Sequence, residues 1–108
     1  MAYRVLISDN ANEELDSAVK YIAMTLGAPG TASSLLDEFE EKLTLISDNP
    51  RLFGVDFDVS EAVSEQVRKC LVKRYSIFYT IDDDKRTVSI VAFVHELRDT
   101  QRYFRQKN

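Results

Sequence analysis

The side chains with chemistry to offer are one histidine, His95, and two groups of basic residues around it. Arg68, Lys69, Lys73 and Arg74 form the first group; Arg98, Arg102 and Arg105 follow His95 near the C-terminal end. Tyr75, Tyr79, Tyr103 and Phe104 are interleaved with them. Lysine and arginine neutralise phosphates, and aromatic rings stack on unpaired bases, so single-stranded RNA is a chemically reasonable ligand for this set. An imidazole among cations can act as acid or base in ribonucleotide cleavage, because its unperturbed pKa lies near neutrality. The plainer alternative is that His95 ends a strand and hydrogen-bonds its neighbours. The catalytic candidates are therefore His95, Arg68 and Arg98. The candidates for binding a target or partner are Arg68, Lys69, Lys73, Arg74, Tyr79, Arg98 and Arg102.

Other chemistries are poorly served. Glycine occurs only at 27, 30 and 54, so there is no glycine-rich phosphate loop. One His and one Cys do not make a zinc site, and no metal or other cofactor is expected. Asp82-Asp83-Asp84 resembles the start of a calcium loop, but the sixth position is Thr87 where glycine is required and the twelfth is Phe93 where glutamate is required. It reads as a solvated hairpin tip. Serines and aspartates are too numerous for spacing to select a Ser-His-acid triad. Cys70 lies in a strand-like run and reads as a small buried hydrophobe rather than a nucleophile.

The elements that must position these residues follow from periodicity. Tyr75 to Ile81 and Thr87 to Val94 are β-rich runs flanking the polar Asp82–Arg86 connection, which is a hairpin pattern. A shorter run, Val67 to Val72, precedes them, and the last strand delivers His95, Arg98 and Asp99 at its exit. At the other end of the chain, Tyr3 to Ile7 reads as a first strand. Asn10 with Glu13 has capping-box spacing, with Ser8 and Asp9 as alternative caps. Ala11, Leu15, Ala18, Val19, Ile22 and Leu26 then fall on one helical face. Gly27-Ala28-Pro29-Gly30 stops that helix, and Thr31 opens a second, with Ala32, Leu35, Leu36, Phe39, Leu43 and Ile46 on its stripe. Its acidic face, Asp37, Glu38, Glu40 and Glu41, reads as solvated; Asn49-Pro50 ends it.

Residues 51–66 are read as an ordered loop, with Leu52, Phe53, Val55 and Phe57 packing over the core edge and a short helical turn from Ser60. The C-terminal DTQRYFRQKN has helix-compatible composition. The expected fold is α+β: an antiparallel helix hairpin packed on a mainly antiparallel four-stranded sheet, in the order β-α-α-β-β-β with a short C-terminal helix. Residues 1–108 form a single domain.

Composition sets the class. A 108-residue chain with 44% hydrophobic and 30% charged residues is long enough to bury one modest core, and is not a disordered composition. No apolar run approaches a membrane span, MAYRVLISDN does not read as a signal peptide, and a lone cysteine fits a reducing cytoplasm. The net charge of −4 hides an asymmetry: residues 1–67 carry four Lys and Arg against thirteen Asp and Glu, while residues 68–108 carry ten against five. An acidic half and a basic half either attract each other or leave one face suited to an anionic partner, whether nucleic acid or an acidic protein segment.

Taken together, RKCLVKRYSIFYTID at 68–82, VSIVAFVHELRD at 88–99, the N-terminal YRVLISDNA and Asn49-Pro50 after the second helix resemble the RelE/ParE toxins of bacterial type II toxin–antitoxin (plasmid-stabilisation) systems. The resemblance covers nearly the whole chain. It implies a compact cytoplasmic α+β toxin held inactive in a hetero-oligomer with a cognate antitoxin, which wraps an extended or helical segment over it. RelE-like members are mRNA interferases that cut messages on the ribosome without a metal; ParE-like members inhibit DNA gyrase.

His95 matches the terminal histidine of some ribosome-dependent members. Glu96 stands where those members carry an aromatic, however, and Ser76 where they carry an arginine in the third strand. The ending His95…Asp99…Arg102 is similar to that of ParE-like chains. The resemblance therefore favours a gyrase inhibitor. The alternatives are a ribosome-dependent endoribonuclease, with His95 as acid or base and Arg68, Lys69, Lys73 and Arg98 holding phosphate, and a non-toxic module that only binds antitoxin.

Overall fold

A computed structural model describes residues 2–107. β1 (Arg4–Ile7) leads into α1 (Asp9–Lys20), a π-helical turn (Tyr21–Thr25) and α2 (Pro29–Asp48). A short helix, α3 (Phe57–Val63), precedes β2 (Arg68–Val72), β3 (Tyr75–Asp82) and β4 (Thr87–His95), and α4 (Thr100–Lys107) follows. The strands form one mixed sheet in the order β1-β4-β3-β2. β4 and β2 both pair antiparallel with β3, and β1 lies parallel to β4. This is the α+β arrangement expected from sequence, with the mainly antiparallel sheet made mixed by β1. Among the described residues no helix is long and apolar enough to cross a membrane.

Both faces of the sheet are covered, and a bulge explains how one strand serves both. Tyr79 pairs with Ile90 and Phe78 with Ala92, so Val91 is an extra residue in β4. The bulge reverses the alternation. Val88, Ile90 and then Phe93 face the α1/α2 layer with Leu35, Phe39 and Ile46. Ala92 and Val94 face the opposite way, joining Val59 of α3 and Tyr103 and Phe104 of α4 around Phe78. This second, smaller core is why the apolar run in β4 is nearly continuous.

Local chemistry sets the helix limits. Ser8, not the Asn10–Glu13 pair, caps α1: its Oγ accepts the Ala11 N–H at 3.0 Å. Asn10 is spent elsewhere, on Glu14 and Tyr103. The first helix does not continue as α-helix to Leu26. It widens into the π turn, where Leu26 N–H reaches Tyr21 C=O and Ala28 N–H reaches Ile22 C=O, with Gly27 at φ +63° making the reversal. Leu26 consequently leaves the buried stripe and is exposed. Pro29 sits in the first turn of α2, two residues before the expected start, where its missing N–H costs nothing.

The helical turn expected from Ser60 is a full short helix, α3, that starts three residues earlier at Phe57. Asp56 caps it by accepting the Val59 N–H at 2.9 Å, and Ser60 Oγ both accepts from and donates to the Val67 backbone. Phe53 packs against the core edge as expected, whereas Leu52 and Phe57 stay in solvent, Phe57 81% exposed, and the fully buried residue of the segment is Val59. Of the acidic stripe on α2, Asp37, Glu40 and Glu41 are exposed as expected. Glu38 instead accepts the Lys73 N–H at 3.1 Å and faces its ammonium at 3.8 Å.

At the hairpin tip, Asp83 ties three segments together. Arg51 donates to both of its oxygens (3.1 and 2.7 Å), the Tyr3 hydroxyl donates at 2.7 Å, and the Arg86 guanidinium lies 4.6 Å from the Tyr3 ring centre. The hydrogen bonds from Arg51 and then Tyr3 hold the Asp83 carboxyl down at about 2. A depressed carboxylate pKa stabilises the fold above its unfolded value and stops doing so as pH falls to the folded value. Acid titrations of the wild type and of Asp83→Asn should therefore differ in stability at neutral pH and converge between about pH 4 and pH 2. Curves that keep a constant separation throughout that window would show that the clamp contributes nothing through ionisation.

Candidate functional site

The exit of β4 gathers part of the predicted set at one end of the sheet. Tyr75 pairs with His95, and their rings meet edge to face at 5.0 Å. The Leu97 N–H donates to His95 Nδ1 at 3.1 Å, so a neutral ring carries its proton on Nε2. Arg98 lies with its guanidinium 5.0 Å from the centre of the Tyr103 ring. Asp99 begins α4: its side chain accepts the Arg102 N–H at 3.1 Å and its carbonyl the Tyr103 N–H at 2.9 Å. The His95…Asp99…Arg102 pattern is thus a strand end, a helix cap and an exposed first-turn arginine.

Lys73 and Arg74, in the β2–β3 turn, reach the same end of the sheet. Arg74 pairs with Glu96 at 2.9 Å, and Lys73 with Glu38. Both pairs are exposed enough for solvent to screen them, which leaves the cations available for exchange with a partner's acids.

The rest of the predicted set is not assembled there. Val72 is the β2 residue level with Tyr75 and His95, so Arg68 lies four residues away along the sheet and two strands across. That is about 13 Å in one direction and about 10 Å in the other. Arg68 is half-buried, donating from Nη1 to Phe53 C=O at 2.7 Å, a bond that anchors the α2–α3 connection. It cannot act on the same phosphate as His95. Lys69 lies on the α3/α4 face with its ammonium 6.0 Å from the Phe78 ring centre. Tyr79 is corrected outright: it is fully buried and its hydroxyl donates to Pro50 C=O at 2.6 Å, so it presents no surface to a target. Cys70 is buried with its thiol pushed up to about 11 by burial, which suits a packing residue and not a nucleophile.

A cleft of ≈ 430 Å³ lies between α1 and the end of β4. Its wall on α1 and the start of the π turn is a lateral stripe, Asn10, Glu14, Ser17 and Tyr21, with Glu13 beside it; its floor includes Tyr75 and Phe93, stacked at 4.9 Å and 5°. His95, Arg98 and Tyr103 close the far side. Glu14 is the centre of the wall. Its Oε1 accepts from Phe93 N–H (3.1 Å) and Asn10 Nδ2 (3.2 Å), and its Oε2 accepts from the Tyr103 hydroxyl. Asn10 also donates to the Tyr103 oxygen at 2.9 Å. Burial, then the bond to Glu14, push the Tyr103 phenol up to about 12.

Sequence reasoning gave Glu14 no role. Its only advance signal is the 4-3-4 spacing of Asn10, Glu14, Ser17 and Tyr21, a polar edge beside the apolar stripe that does not reveal what it meets.

Comparison with known proteins decides the family. The model of the ParE toxin of type II toxin–antitoxin systems, parDE, matches residues 5–100. The chain belongs to the ParE toxin family. As a ParE-family toxin it has the fold of a chain solved in the chromosomal ParDE system from P. aeruginosa, with a TM-score of 0.66 over 87% of this chain and 96% of that one. The two are 12% identical, so the likeness is one of fold. No match was found among the curated proteins. The ParE branch favoured by Ser76 and Glu96 is the one matched, and toxin–antitoxin membership carries with it an antitoxin partner.

Proposed function

We propose that this ParE-family toxin inhibits DNA gyrase in the cytoplasm and is silenced by a cognate antitoxin in a hetero-oligomer. The family match over residues 5–100 carries the reading. Site geometry supports it: Arg68 is too far from His95 to share a phosphate, and of the two carboxylates lining the cleft, Glu13 and Glu14, the one nearest the end of β4, Glu14, is already held by three donors. Arg98, Arg102 and the exchangeable Arg74 and Lys73 supply an exposed basic surface for target or antitoxin carboxylates.

A supercoiling assay tests this. Gyrase acting on relaxed plasmid should lose its supercoiling activity at toxin excess and regain it when antitoxin is added. Arg98→Glu combined with Arg102→Glu should raise the toxin concentration needed by tenfold or more. Full supercoiling at toxin excess would sink the reading. One observation favours the endoribonuclease alternative: the His95 ring and Arg98 line the same cleft. Ribosome-dependent cuts in translated mRNA that vanish in His95→Ala would establish that alternative in its place.

A further inference from the structure

Three successive backbone N–H groups fasten the exit of β4. Glu96 N–H donates to Arg74 C=O at 2.7 Å, Leu97 N–H to His95 Nδ1 at 3.1 Å and Arg98 N–H to His95 C=O at 3.0 Å. The first and third acceptors are carbonyls, which keep their lone pairs at every pH. The second is an imidazole nitrogen. Its lone pair disappears when the ring takes up a proton, because both nitrogens of an imidazolium are donors. Two N–H groups then face each other and the bond breaks. Imidazole is the side chain that ordinarily makes this change between about pH 5 and pH 8.

Little else holds the turn. The Leu97 side chain is 84% exposed, so packing does not replace the lost bond. The chain is fixed on either side: His95 pairs with Tyr75, and Tyr103 is tied to α1 through Asn10 and Glu14. Residues 96–98 are therefore the span that yields, and Arg98 is carried on it. The surroundings offer an imidazolium no bond inside the turn. Glu14, across the cleft on α1, is spent on three donors, Glu96 is paired with Arg74, and Asp99 accepts the Arg102 N–H. Arg74 and Arg98 repel a second cation, and the Tyr21, Tyr75 and Tyr103 rings complete the lining. Glu13, the remaining acid, lies on the α1 side, so a charged ring is drawn into the cleft and away from the turn.

We propose that His95 is a positioning residue: its neutral ring holds the Leu97–Arg98 turn in place, and protonation releases that turn together with Arg98. What Arg98 then fails to grip rests on the toxin reading above; the switch itself does not. The sign of the pH dependence separates this role from direct contact. A protonated ring that touched a partner's carboxylates would strengthen binding in acid, whereas release of Arg98 weakens it. One backbone hydrogen bond changes the closed population of the turn by about two- to tenfold.

NMR on the intact toxin tests the switch. As pH falls from 8 to 5.5, the Leu97 amide resonance should move along the same titration curve as the His95 ring protons. The order parameters of Leu97 and Arg98 should fall from about 0.85 toward 0.6, with Glu96 unchanged. His95→Asn places a carbonyl oxygen where Nδ1 stood, an acceptor for the N–H two residues on that does not titrate. It should keep the turn ordered at both pH values, while His95→Ala leaves it loose at both. In supercoiling assays the wild type should need about two- to tenfold more toxin at pH 6 than His95→Asn does, and the two should match at pH 8. A Leu97 amide that stays put while the His95 ring titrates would overturn the proposal. So would inhibition lost in His95→Asn and His95→Ala alike, which assigns the ring itself to contact or chemistry. A turn that titrates as described in a protein that leaves gyrase untouched would instead remove the toxin reading and uphold the switch.

Discussion

Phe93→Ala should lower the unfolding free energy by about 3–5 kcal/mol, read from urea denaturation with an unchanged slope. The ring is almost fully buried and is held from two sides, stacked on Tyr75 at 4.9 Å and edge-on to Phe39 at 5.3 Å. Its removal takes away one large buried side chain and leaves a void between α2 and the sheet that neither neighbour is placed to fill. Phe39 is fixed in the core of α2, and the backbone of residue 93 is fixed by β3 and by Glu14. Partial collapse toward the cleft sets the lower end of the range. Val91→Ala should cost much less, because Val91 is half-buried at the bulge and its backbone, not its side chain, carries the contacts to α1. A Phe93→Ala loss below about 1 kcal/mol would mean that the bulge does not fix the face on which residue 93 lies.

That face could not be read from the sequence, and the reason is specific. In VSIVAFV the apolar residues are nearly continuous, so periodicity announces a central strand but not which residue points which way. The bulge appears only in the pairing with β3. The helix hairpin, by contrast, was legible because Leu35, Phe39 and Ile46 repeat at helical spacing, and the hairpin of β3 and β4 because a charged tip separates two β-rich runs. α3 was legible only as a turn from Ser60, since its one buried residue, Val59, is outnumbered by more conspicuous neighbours such as Phe57 that stay in solvent. The site was half legible. His95, Arg98, Lys73 and Arg74 share the sheet end that chain order suggested; Arg68 and Tyr79 were placed with them by residue type alone, and strand register separates them.

Glu14→Leu should be the costliest polar substitution in the cleft, at about 2–4 kcal/mol, because one carboxylate serves three donors. An apolar side chain of similar length leaves the Phe93 N–H without an acceptor and returns none of the lost bonds. Tyr103→Phe removes one hydroxyl from the same network, keeps the ring that packs on Phe104, and should cost about 1 kcal/mol. The network also sets an alkaline limit. Tyr103, and Tyr79 through burial, have phenols pushed up to about 12 in the folded chain. A raised folded pKa stabilises the protein fully below the unfolded value of about 10 and loses that contribution as pH rises to the folded value. Stability should therefore fall between about pH 10 and pH 12, with tyrosinate absorbance from these two rings rising together with unfolding. Tyr103→Phe should flatten that decline while leaving the part due to Tyr79. If Tyr103→Phe proves as damaging as Glu14→Leu, the dominant role belongs to the hydroxyl that fastens α4 to α1, and the Phe93 amide finds another acceptor.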